Sequence, residues 1–190
     1  MIHLISIVMG TIGIVSGTVG TVIYLRGKKY HWTCMALSVS TSVLEGKSFY
    51  WDDLVKLYNR DADGTMPTYD DGRRVFAQAK FIIKQNCGSA GRCFERAIER
   101  AERSVPNASQ VADLELKMNF VLLALVVAGM SFTVFPARSL PLFIALVFTS
   151  VPALMLVCYL VAMSYRFVRL RRITNTNQSY FNSRFSQARD

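Results

Sequence analysis

Three stretches of this chain carry no Asp, Glu, Lys or Arg: 24 residues from Ile2 to Leu25, 18 from Met118 to Phe135 and 26 from Leu140 to Tyr165. A hydrocarbon core of about 30 Å needs roughly 20 apolar residues of helix. Each run can therefore cross a bilayer, the second being the shortest. Within 190 residues, too little chain remains to cover three such helices in a water-soluble core. The fold class expected is an all-α integral membrane protein with three transmembrane helices. Residues 1–29 form an N-terminal helix with a basic flank, and 30–117 a small helical extramembrane domain. Residues 118–165 form a transmembrane helical hairpin, and 166–190 a basic polar tail.

The net charge of +9 looks like a nucleic-acid signal until it is partitioned. Arg26, Lys28 and Lys29 follow the first apolar run, and Arg166, Arg169, Arg171 and Arg172 follow the third. The segment between Tyr30 and Met118 is neutral, with twelve basic and twelve acidic residues. A nucleic-acid partner would call for a basic face on the folded domain, so none is expected. Basic residues at the ends of spans fit the positive-inside bias and attraction to anionic lipid head groups. Placing Arg26, Lys28 and Lys29 inside puts the N-terminus outside and the 30–117 domain inside, with "FPARSLP" as the outer turn of the hairpin. The second basic cluster and the C-terminus then fall inside as well, and only Arg138 lies opposite. No residue decides which membrane this is. The mitochondrial inner membrane is mildly preferred over a bacterial inner membrane or a virion membrane. The first run lacks a basic segment before it, so a retained anchor is expected rather than a cleaved signal.

Gly10 to Gly20, "GTIGIVSGTVG", fails as a nucleotide loop. No two glycines are two apart, as a dinucleotide fingerprint requires, and "RGKK" lacks the P-loop hydroxyl. As a helix it succeeds: Ser6, Gly10, Gly13, Gly17 and Gly20 fall within an arc of about 80°. Their 4, 3, 4, 3 spacing makes a seam of small residues for close packing against another helix. Three spans bury little among themselves, so the expected neighbour belongs to another subunit.

The 30–117 segment reads as helical. One helix is expected from about Asp70 to Gln85, with Val75, Phe76, Ala79, Ile82 and Ile83 inward and Gly88 as its stop. A second carries an apolar stripe through Ala90, Cys93, Phe94, Ala97, Ile98, Ala101 and Val105. Cys93 is thereby expected in the core, and Glu99 and Arg103 on the exposed face. Asn107 and Gln110 resemble a capping box for a helix running unbroken into the second span. Between the first two inner helices lies "NRDADGTMPTYD", which resembles an EF-hand calcium loop. The resemblance implies Asn59, Asp61, Asp63, Thr65 (through its backbone) and Asp70 as ligands, with Gly64 at the turn. Asn begins the loop where Asp is usual, Pro67 offers no side-chain oxygen, and Asp70 is shorter than the usual Glu. The plainer reading, and the preferred one, is an acidic turn with Asp70 as N-cap. Calcium is the sole cofactor in question; no other is expected.

Catalytic chemistry has little to work with. His3 and His31 are the chain's two histidines. They stand about 40 Å apart along a helix, so they cannot share a haem. Cys87 and Cys93 have no second pair and match no zinc spacing. No catalytic residue is assigned and no enzyme activity is expected. Pro152, after Thr149 and Ser150, kinks the third span and frees the Phe148 carbonyl, which nearby hydroxyls can satisfy. The tail's Tyr180, Phe181 and Phe185 suggest that it docks rather than floats.

The layout of one span, an inner domain and a two-span hairpin resembles the ExbB/TolQ proton-channel family. "TSVPALMLVCYLVAMSYR" is similar to that family's last span, and the resemblance implies a channel or motor element. No acidic residue lies in any span, leaving hydroxyls such as Ser131, Thr133, Thr149 and Ser150. The preferred expectation is a non-catalytic accessory subunit of a multi-subunit membrane complex. Its partners would be other membrane subunits and anionic lipids.

Overall fold

The computed structural model describes residues 2–61, 67–87, 91–106, 114–134 and 142–189. Among them 93% are helical and none lies in a strand. The elements are α1 (Ile2–Leu44), α2 (Trp51–Asp61), α3 (Tyr69–Cys87), α4 (Arg92–Arg103), α5 (Leu114–Val134) and α6 (Leu142–Arg189). Three of these, α1, α5 and α6, contain stretches long and apolar enough to cross a membrane. Gly88, Asn107, Gln110 and the junction 107–113 lie outside the described residues.

α1 does not stop at the basic flank. Arg26, Lys28 and Lys29 are good helix formers and no proline follows them, so the helix runs to Leu44. It ends in a Schellman motif: Gly46 takes φ 76°, its N–H reaches the Val43 carbonyl, and Lys47 N–H reaches that of Ser42. α6 likewise continues through the basic cluster into the polar tail, with Pro152 inside it.

The chain divides into two compact units. The first comprises Met1–Gly27 and Asp113–Val168. Within it α5 runs antiparallel and α6 parallel to α1. Gly10 meets Met130 and Thr149, Gly13 meets Val126 and Ala153, and Gly17 meets Leu123 and Leu156. Its buried core is correspondingly small: Val126, Ala153 and Leu156, flanked by Ile14, Leu122, Leu123 and Met130.

The second unit comprises Lys28–Ala112 and Arg169–Asp190. It has a conventional core in which Met35, Ala36, Val39 and Val43 of α1 pack with Leu54, Val75, Phe76, Ala79, Ile83 and Ile98. Ile82 is half-buried at its edge. The other side of α1 receives α6. Asn177 donates to Cys34 Sγ (3.1 Å) and Ser38 Oγ (3.2 Å), and Tyr180 donates to Glu45 (3.3 Å). Thr174 donates to the Tyr30 carbonyl, and Phe181 is 1% exposed. This part of α1 is thus buried on both sides.

Candidate functional site

Two arrangements could carry function, one in each unit. In the first unit it is the glycine seam. A Cβ on Gly13 would stand 2.8 Å from Ala153 Cβ and 2.9 Å from its Cα, and one on Gly20 would stand 2.8 Å from Tyr159 Cδ1. Only glycine lets α1 come this close. The neighbours are the chain's own α5 and α6, so these glycines are covered without a second subunit, because the hairpin supplies two ridges that fill the strip. Ser6 extends the seam by a buried hydrogen bond to Thr149 Oγ1 (3.2 Å). At the other end Asn119 of α5, 1% exposed, donates to the Gly17 carbonyl (3.3 Å) and to Thr21 Oγ1, while its Oδ1 has no hydrogen-bond partner among the described residues. The hydroxyls considered for a pore are turned onto their own helices: Ser131 to Val127, Thr133 to Met130, Thr149 to Ala145 and Ser150 to Leu146. Thr149 and Ser150 therefore bond the carbonyls three and two residues before the one that Pro152 frees, rather than that of Phe148.

In the second unit the site is a charged and aromatic cluster around Trp32. α3 starts with Thr68 as N-cap and Asp71 three residues on. Asp71 N–H donates to Thr68 Oγ1 (3.1 Å) and Thr68 N–H to Asp71 Oδ2 (3.2 Å), a reciprocal capping box. This corrects the assignment of the cap to Asp70, which instead pairs with Arg74 (3.0 Å) one turn along α3. Asp71, 7% exposed, also accepts from Trp32 Nε1 (3.0 Å) and pairs with Lys28 (3.4 Å). The Trp32 ring lies under two cations, Arg74 at 4.7 Å and Lys28 at 5.8 Å. Close by, Trp51 packs on Tyr69 and against Gly72. A carboxylate so fully engaged acts as a clamp joining α1 to α3.

Of the proposed calcium ligands, Asp63 and Thr65 lie outside the described residues, as do the side chains of Asn59 and Asp61, whose backbone belongs to α2. Among the described residues no group of acidic, His or Cys side chains could hold a metal ion. Of the basic positions, Arg26, Lys29, Arg169, Arg171 and Arg172 are exposed, Arg166 is half-buried, and Lys28 is drawn onto Asp71. His31 is buried against Tyr58, ring centroids 4.5 Å apart. Cys93, expected in the core, is exposed. α4 turns Ile98 and Ala101 inward, and Cys93 at the helix start falls off that face. Its neighbour Cys87 is half-buried, and burial pushes its thiol pKa up.

Sequence reasoning missed the Trp32 clamp and Asn119. Both had a signal: Thr68-x-x-Asp71 fits the capping-box pattern, and Asn119 is an amide inside a charge-free run. No protein-family model matches this chain, and neither the curated proteins nor the solved structures contain a significant match.

Proposed function

We propose that this protein is a non-catalytic accessory subunit of a multi-subunit membrane complex. Its N-terminus lies outside and its C-terminus inside, with the mitochondrial inner membrane mildly preferred. The observation that carries this reading is the outer surface of the first unit. Among the described residues the exposed large hydrophobic side chains lie there, all but Tyr30, Tyr50, Phe81 and Tyr180. On α1 they include Val8, Ile12, Val15 and Val19, opposite the glycine seam. A surface of this kind is solvated by lipid chains or by neighbouring transmembrane helices, not by water. The direction of α5 against α1 and α6 supports three successive crossings. Since the chain's own hairpin fills the glycine seam, partner helices would take the opposite, β-branched face of α1. The exposed Arg26, Lys29, Arg169, Arg171 and Arg172 would meet anionic lipid head groups.

The channel reading gains no support from the hydroxyls, which are spent on backbone carbonyls of their own helices. Native electrophoresis after mild-detergent extraction tests the proposal. Migration only within a large assembly is the expected result. A monodisperse lone chain that conducts protons or cations after reconstitution would sink it.

A further inference from the structure

We draw no further inference here: the strongest candidate, the buried Asn119 amide of α5 at the Gly17–Thr21 end of the glycine seam, carries nothing because Leu123 and Leu156 of the same chain already fill the seam beside Gly17 and nothing in the structure shows what would donate to its Oδ1.

Discussion

At the residue scale, the glycines of α1 are not equivalent, and the differences can be ordered. A methyl group on Gly13 meets the Ala153 backbone, which cannot move aside, whereas on Gly10 it meets the flexible end of Met130. On Gly27 the nearest atom is Phe167 Cδ2 at 3.8 Å, an ordinary contact. Alanine is favoured over glycine inside a helix by about 1 kcal/mol. Gly27→Ala should therefore leave the melting temperature in detergent unchanged or raise it. Gly13→Ala should lower it, at an overpacking cost of about 1–3 kcal/mol, and Gly10→Ala should fall between. A melt in which Gly13→Ala is as stable as Gly27→Ala would contradict the packing. The Trp32 clamp gives a second ordering. Thr68→Ala removes one cap, a loss of about 1 kcal/mol. Asp71→Ala removes the other half of the box and the acceptor of Trp32 and Lys28 together, so its chemical-denaturation midpoint should fall further than that of Thr68→Ala.

The pair joining α3 to α4 carries a pH signature. The hydrogen bond from Lys80 holds the Glu99 carboxyl below its ordinary value, and Arg103 and Arg96 act in the same direction. A carboxyl depressed in the folded state contributes stability that is whole above its unfolded pKa and is lost as the pH falls through the folded value. Glu99→Gln should therefore cost stability at neutral pH and flatten the acid limb below about pH 4.5, the ordinary value. Parallel acid limbs for the two proteins would show that the pair contributes nothing. The pair is solvent-exposed, so the effect should be small and screened by salt.

At the scale of elements, the second unit is held by a seam that composition hides. α6 sends Thr174 and Asn177 onto α1, and Leu170 and Phe181, which share their face at a 4, 3, 4 spacing available in the sequence, are buried. It was obscured because polar residues occupy it and because the tail looked like a basic appendage. The structure makes it the second half of one long helix, with Asn177 bonded to Cys34 and Ser38. Removing residues 169–190 should uncover Cys34, which is fully buried in the intact chain. A maleimide should then label it rapidly in the truncated protein and not in the intact one. If Cys34 labels equally in both, α6 does not lie on this face. The apolar runs, the α3 core residues and the glycine arc were all legible because burial imposes a strong period. Helix ends were less so: Arg26, Lys28 and Lys29 mark where a chain leaves an apolar run, not where hydrogen bonding stops. Cys93 was misplaced for a related reason, since a stripe drawn from Ala90 overruns the start of α4 at Arg92. The sequence also showed a seam without its occupant. Spacing reveals that a helix will pack closely, and only the fold reveals that the neighbours are Met130, Ala153, Leu156 and Tyr159 of the same chain.

At the scale of the whole molecule, the two units solve different solvation problems. The second buries Val75, Phe76, Ala79, Ile83 and Ile98 completely and shows water a mostly polar surface. The first turns small and polar groups inward and large aliphatic groups outward: Ser6 and Asn119 are buried while Phe143 is 72% exposed and Val161 63%. Such an inverted arrangement is stable where the solvent is hydrocarbon, because the solvent then prefers the aliphatic groups and the polar groups must find partners inside. The protein should accordingly remain in the membrane pellet after alkaline carbonate extraction. The proposed sidedness rests on charge placement alone, and can be read with a membrane-impermeant maleimide. Cys93 is exposed in the second unit, and Ser139→Cys would mark the chain between α5 and α6, outside the described residues. With the basic clusters inside, Cys93 should label only from the inner side and Ser139→Cys only from the outer side. Labelling of both from one side would mean that α5 and α6 do not each cross. Reversed sides would preserve the three crossings and invert the orientation, so the two cysteines separate the architecture from the direction in which it is inserted.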